Sequence, residues 1–219
     1  MITKLVFHHS GGIGNNSFAS SQRLSFDDIN RAHRNQWPNF PSELDPSIFI
    51  GYTGVIFPDR FVQTRLLGEE LAANKGYNKE TIAICIMGNF TKLGNGFVDT
   101  MTQFQKETAQ KIAIAIFENR PQDVGLKVKA GYQQSIGLKD IIPHRFLNFT
   151  ECYGTGLPDS WGRDLVIPYI KKKILLLQQL LELYIKINDA IKKAKFGLGS
   201  KLLFGATPPH SCLFENNRG

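Results

Sequence analysis

A chain of 219 residues with 42% hydrophobic and 21% charged residues has the composition of an ordinary globular protein, long enough for one sizeable core and an appendage. The net charge of +7 favours polyanionic partners such as nucleic acid, acidic lipid or cell-envelope polymers. Residues 1–165 show no basic stripe interleaved with aromatics, which argues against nucleic acid. The cysteines Cys85, Cys152 and Cys212 are too sparse and odd in number for a disulfide framework and point to synthesis in a reducing compartment. The first apolar run is too short for a signal peptide, and no uncharged apolar stretch reaches the roughly 18 residues of a spanning helix. The expected place of synthesis is the cytoplasm.

Ile2 to His9 reads as a buried strand that stops at Gly11-Gly12. Ser25-Phe26-Asp27-Asp28 marks a helix start, with Ser25 as N-cap and acids in the first turn; the helix is expected to run to Gln36. Pro38, Pro41 and Pro46 make a loop. Ile48–Phe57 and Arg60–Leu66 are expected as strands joined by a turn at Pro58-Asp59. Thr81–Met87 is uniformly apolar after its first residue and reads as a central strand covered on both faces. Thr100–Asn119 predicts a helix with Phe104, Ile112 and Ile116 on its core face. Residues 121–140 carry weak periodicity and are expected mostly as loop, and Ile141-Ile142-Pro143 as a short strand leading into His144. Strands interspersed with helices imply an α/β domain.

After Trp161 the pattern changes. Ile170, Ile174, Leu177, Leu181, Tyr184, Asn188 and Ile191 alternate spacings of four and three, a heptad-like seam with one polar residue. Leu176, Leu180, Leu183 and Ile187 add a second stripe, so the apolar face of this helix is wide. Gly197 and Gly199 are expected to end it. The boundaries are 1–165 for the main domain, 166–199 for the helix and 200–219 for an irregular tail. Three uses of the helix stay open: packing on the domain, pairing with a second copy in register through Asn188, or docking on an anionic membrane through Lys171–Lys173 and Lys192, Lys193 and Lys195.

The side chains that carry chemistry are split. His8 and His9 close the first strand, while His144 and Cys152 lie near the far end of the same domain. Imidazole plus one thiolate suits Zn²⁺, and three protein ligands would leave a fourth position for water, the feature that separates a hydrolytic site from a closed structural one. The fold must bring these pieces together. An isolated histidine is more often a satisfied core residue and an isolated buried cysteine a small hydrophobe; Cys85 is read in that second way. His210 and Cys212 are too little to make a further metal site.

With these residues in view, the chain resembles the zinc-dependent N-acetylmuramoyl-L-alanine amidases, the family that includes phage amidase-type lysozymes and the peptidoglycan recognition proteins. The matching pieces occur in the family's order: Val6-Phe7-His8-His9-Ser10, Gly51-Tyr52, Arg65, Lys75-Gly76-Tyr77-Asn78, the strand through Met87-Gly88, and His144 to Thr150-Glu151-Cys152. They cover residues 1–165. The resemblance implies a central mixed β-sheet flanked by helices, here followed by a C-terminal amphipathic helical extension. It implies zinc bound by His8, His144 and Cys152, with His8 preferred over His9 as the first residue after the apolar run. It implies a catalytic Tyr52 beside the metal and a Thr150 at a position that is lysine or threonine in active members. Both hydroxyls suit donation to a developing oxyanion.

What the resemblance implies is hydrolysis of the amide between N-acetylmuramic acid and L-alanine in peptidoglycan, as in a phage-type endolysin that reaches the wall after release. The alternatives are a non-catalytic peptidoglycan-binding protein and a membrane-active protein working through its helix. The pattern departs from the family at Tyr153, where proline is usual, at Ala73, where histidine is frequent, and at Asn39–Phe49, which is longer than usual. These departures imply altered substrate fit. Glu151 is not assigned as a base, because neighbours on an extended segment point apart. Lys75–Asn78 reads as a turn into the central strand, with substrate contact as the alternative.

Overall fold

The computed structural model describes residues 1–12, 19–94, 96–148, 150, 152 and 154–203, with side chains up to Ala194 in the last helix. Glu151, Tyr153, His210 and Cys212 lie outside the described residues.

Five strands form one mixed sheet in the order β3-β2-β4-β1-β7. They are β1 (Lys4–His9), β2 (Gly54–Ile56), β3 (Phe61–Gln63), β4 (Thr81–Ile86) and β7 (Ile141–Pro143). β3 runs antiparallel to β2; the other pairings are parallel. Every residue of β4 is buried, as its unbroken apolar run requires of a strand covered on both faces. A small hairpin, β5 (Lys92–Leu93) and β6 (Gly96–Phe97), stands apart from the sheet.

Alternation along the strands sorts the core into two layers. Leu5, Phe7, Ile82, Ile84 and Ile86 pack on one side against Ala109, Ile112, Ala113 and Ile116 of helix α2 (Gln103–Phe117). Trp161, which opens the short helix α3 (Trp161–Asp164), meets Phe7 edge-on at 5.3 Å. Val55, Cys85 and Met87 face the other side, toward Ile29 of helix α1 (Phe26–Gln36) and Ile48, Ile50 and Phe57. The site lies on this second side.

Both helices start on capping boxes. Ser25 and Asp28 bond reciprocally at α1, and Thr102 and Gln105 do so at α2, each satisfying backbone donors that a helix leaves without partners. Gln105 is buried and also donates to the carbonyls of Met87 and Ile56. It therefore occupies the core-facing position that an apolar count assigns to Phe104, which is exposed. The expected strands over 48–57 and 60–66 shrink to three residues each. Gly51 comes so close to Ala72 that an added Cβ would lie 3.0 Å from its side chain, and the chain before β2 bends there instead of pairing.

The chain divides into two compact units, Met1–Ile170 and Lys171–Gly219. Helix α4 (Ile167–Leu203) begins in the first and makes up the described part of the second. It continues through Gly197 and Gly199, where the sequence predicted its end. A glycine costs about 1 kcal/mol relative to alanine inside a helix, and the surrounding Ala194, Lys195, Leu198, Lys201 and Leu202 are strong enough formers to carry two. Ile174, Leu177, Leu181, Tyr184 and Ile191 of the seam are exposed, as are Leu176, Leu180, Leu183 and Ile187 of the second stripe. Among the described residues no helix is long and apolar enough to cross a membrane.

Candidate metal centre

Strand register explains how side chains so distant in sequence meet. β1 pairs with β7 in parallel with Phe7 opposite Pro143. His8 follows Phe7 within β1 and His144 follows Pro143 just past the end of β7, so both imidazoles leave the carboxyl ends of neighbouring parallel strands side by side. Their ring centroids are 4.3 Å apart. Clefts of open α/β sheets form at this end of the strands.

Cys152 arrives on the loop that follows. Arg145 anchors that loop: its Nε donates to Asp159 at 2.6 Å, Nη1 to the Gly154 carbonyl at 3.0 Å and Nη2 to the Leu157 carbonyl at 2.9 Å. The Arg145 amide bonds the Cys152 carbonyl at 3.0 Å. Gly154, at φ +90°, passes so near Phe90 that a Cβ would sit 2.6 Å from its backbone. Only glycine fits there. Thr150 Oγ1 accepts from the Cys152 amide at 3.3 Å, a turn-forming contact that leaves the hydroxyl proton available to another acceptor.

The ligand atoms of His8, His144 and Cys152 all lie within 4.8 Å of one another. Cys152 Sγ is 3.7 Å from His8 Nδ1. Tetrahedral zinc with bonds of about 2.0–2.1 Å to nitrogen and about 2.3 Å to sulfur holds those two atoms about 3.6 Å apart. One edge of the triangle thus already has tetrahedral spacing, and neither of the other two exceeds 4.8 Å. No fourth histidine, cysteine or carboxylate among the described residues joins the group. The donor set therefore fits zinc with a position to spare.

Electrostatics prepare the same ligands. Burial, then the neighbouring His144, holds the His8 pKa well below its ordinary 6.5, and burial lowers that of His144. Both rings therefore favour the neutral form that a metal requires. Part of Cys152 reaches solvent, yet burial of its thiol pushes the pKa up to about 12. The His9 amide donates to Cys152 Sγ at 3.3 Å and eases ionisation of the thiol. His9 itself turns to the opposite face of β1, where its Nδ1 accepts from the Phe90 amide at 3.3 Å. That bond to the backbone accords with the structural reading of His9.

Tyr52 stacks at a tilt on His8, with centroids 5.0 Å apart, and on His33 at 5.5 Å. Burial, followed by the nearby Cys85 and Cys152, raises its pKa well above 10, so the phenol remains a donor at every physiological pH. A cleft of about 300 Å³ opens beside Tyr52, lined by Ile29, His33, Val55, Cys85 and Met87. Another of about 490 Å³ flanks His144, walled by Trp37, Ala73, Lys75, Gly76 and Asn148. Ala73 leaves a methyl on that wall at the position where the resemblance leads one to expect a histidine. Cys85 is a core residue, as read from the sequence.

Three contributors escaped the sequence reading. Asn148 places its amide 3.1 Å from His144 Nε2. Asn74 is fully buried, its Nδ2 donating to Thr81 Oγ1 at 2.9 Å. His33 accepts from the Gly51 amide through Nδ1 at 2.9 Å and meets Trp37 edge-on; its spacing of four from Ile29 on α1 was the available signal. Burial, then Arg65, lowers the His33 pKa to about 4 from 6.5. Its neutral form belongs to the fold, so the unfolded chain takes up the proton first as pH falls below 6.5. Stability should therefore drop between pH 6.5 and 4, by up to about 3 kcal/mol from this one residue. Urea unfolding at pH 7 and pH 4.5 reads the loss, and His33→Gln should reduce it; an equally steep pH dependence in that variant would clear His33 of the effect.

No family model matches the chain, and no curated protein matches it. Solved structures do. The mixed five-stranded sheet flanked by helices is the fold of peptidoglycan amidases and endolysins. The N-acetylmuramoyl-L-alanine amidase LysC from Clostridium intestinale is 16% identical and superposes with a TM-score of 0.50, covering 77% of this chain and 85% of its own. The Ph2119 endolysin of a Thermus scotoductus bacteriophage is 15% identical at a TM-score of 0.50, covering 75% and 84%. Bumblebee PGRP-SA is 18% identical at a TM-score of 0.48, covering 71% and 77%. At such identities the likeness is one of fold.

Proposed function

We propose that the protein is a zinc-dependent N-acetylmuramoyl-L-alanine amidase that cleaves peptidoglycan in the manner of a phage endolysin. The observation that carries this reading is the meeting of His8, His144 and Cys152 at the carboxyl ends of β1 and β7, with no fourth ligand among the described residues. The LysC structure, itself an amidase, supports it through the shared fold.

In this reading zinc supplies Lewis acidity toward water and the scissile carbonyl. His8 and His144 offer neutral rings, and Cys152 gives up its thiol proton to become the anionic ligand. Tyr52, kept protonated, donates to the oxygen on which negative charge develops. Thr150 is the second donor, its hydroxyl already oriented by the Cys152 amide. Loss of one such donor costs on the order of 10²–10³ in rate.

Mass spectrometry of digested peptidoglycan tests the reaction. Peptide stems with a free alanine amino terminus are expected, lost on chelation and restored by Zn²⁺. Release of cut glycan with intact muropeptides would refute the assignment, and binding without cleavage would favour the non-catalytic reading.

The exposed apolar residues of α4, together with Lys171, Lys172 and Lys173 at its start and Lys192 and Lys193 further on, support interfacial attachment to an anionic envelope. Helices with a wide apolar face and basic flanks lie in the membrane surface. The full chain is expected to co-sediment with phosphatidylglycerol vesicles and not with phosphatidylcholine vesicles, and Leu177→Asp with Leu181→Asp should abolish this. Equal binding to both lipids would remove the electrostatic part of the proposal.

A further inference from the structure

Among the described residues, two buried side-chain polar atoms lack a hydrogen-bond partner: His8 Nε2 and Asn74 Oδ1. An orphaned buried group costs about 1–3 kcal/mol, so two in one protein call for a common cause. They belong together. The Asn74 amide acts on the His8 ring as an acceptor does, favouring its protonated nitrogen, although the pair stops short of hydrogen-bond geometry.

Which end of the amide faces the ring follows from the next bonds in the chain. Thr81 Oγ1 donates to the Tyr77 carbonyl at 3.0 Å. A hydroxyl has a single proton, so toward Asn74 this oxygen can only accept. Asn74 Nδ2 meets that need at 2.9 Å. The Asn74 backbone is tied down as well, its amide donating to Asn78 Oδ1 at 2.7 Å. The carbonyl Oδ1 is thereby turned to His8, and a carbonyl oxygen accepts only.

We infer that Asn74 is a positioning residue: held by Thr81, it fixes the proton of His8 on Nε2 and so presents the Nδ1 lone pair to the metal and Cys152. Without that anchor the ring could carry its proton on Nδ1 and turn a blank face to the site. Partners of this kind on the far nitrogen of a ligand histidine typically set metal affinity within about 10–100-fold. The inference rests on the reading of His8 as a metal ligand. It also gives a use to the turn Lys75–Asn78, which clamps the backbone of Asn74 through Asn78 and accepts the Thr81 proton through Tyr77.

Two measurements separate its failure from that of the amidase proposal. Two-bond ¹H–¹⁵N correlation spectra of the metal-free full chain report the His8 tautomer, and competition with a fluorescent chelator reports zinc affinity. Expected are an Nε2–H ring in the natural protein, a mixed ring with affinity reduced 10–100-fold in Asn74→Leu, and recovery of both in Asn74→Asp, whose carboxylate still accepts. Thr81→Val, which frees the amide to turn, should shift the tautomer in the same direction with a smaller loss. An Nδ1–H ring in the natural protein overturns the inference even if every variant fails to fold. So does an Asn74→Leu protein with unchanged tautomer and affinity. An Nε2–H ring set by Asn74 in a protein that takes up no zinc would uphold the positioning and defeat the amidase.

Discussion

Cys152→Ser is expected to lose zinc and hydrolysis together, leaving peptidoglycan cleavage at the level of the chelated natural protein. A hydroxyl of ordinary acidity cannot supply the anionic sulfur ligand, and the two histidines that remain leave too few protein ligands for the three-ligand catalytic pattern. The same thiol gives the centre a pH signature. Its proton is held to about pH 12 in the metal-free protein by burial, whereas the His8 and His144 pKa values are lowered by theirs. Where both rings are already neutral, zinc uptake should release about one proton, and affinity should rise about tenfold per pH unit. Calorimetry in buffers of different ionisation heat counts that proton. Zinc binding by Cys152→Ser as tight as in the natural protein would remove the cysteine from the ligand set.

The meeting of His8, His144 and Cys152 could be anticipated from the sequence because these side chains stand next to strongly patterned elements. β1 and β4 carry continuous apolar runs, His8 stands at the end of the apolar run of β1 and His144 directly follows β7, so the register of β1 on β7 does the rest. Ser25 and the acids after it located α1 for the same local reason. Phe104 misled the reading of α2 because apolarity stood in for burial, while Gln105 satisfies two carbonyls at the core position. Asn74 was out of reach. It sits in a turn without periodicity, and its importance depends on two atoms, one on β1 and one at the start of β4, that only the folded sheet brings beside it. The pairing of Arg65 with Glu69 was hidden differently: an i,i+4 pair of charges normally lies on a solvated surface, and nothing in the residues says that this one is buried.

That pair should dominate the stability of the first unit. Arg65 is 1% and Glu69 3% exposed, with Nη1 and Oε1 2.6 Å apart. The guanidinium also donates to the carbonyls of Ile50 at 2.8 Å and Phe40 at 2.7 Å, and lies 4.2 Å over the Phe40 ring. Glu69 accepts from the amides of Glu43 and Leu66, each at 2.9 Å. Together they lash the long segment before Tyr52 to the loop after β3. Desolvation lowers the Arg65 pKa, with Glu69 opposing it, yet a guanidinium keeps its proton in proteins. Arg65→Ala would thus strand a buried carboxylate and two carbonyls, at a cost of about 3–5 kcal/mol, or a fall in melting temperature of about 10 °C for a unit of this size. Arg65→Lys should recover little, since an ammonium cannot span the fork of acceptors. Arg65→Met with Glu69→Leu removes both charges and should cost less than the two single changes added. It still leaves the Ile50 and Phe40 carbonyls unpaired and should remain below the natural protein. Urea melts of the four proteins give the coupling. If Arg65→Ala unfolds within about 1 kcal/mol of the natural chain, water reaches this pair, and the wall behind Tyr52 owes its position to the apolar contacts of Ile48 and Ile50 instead.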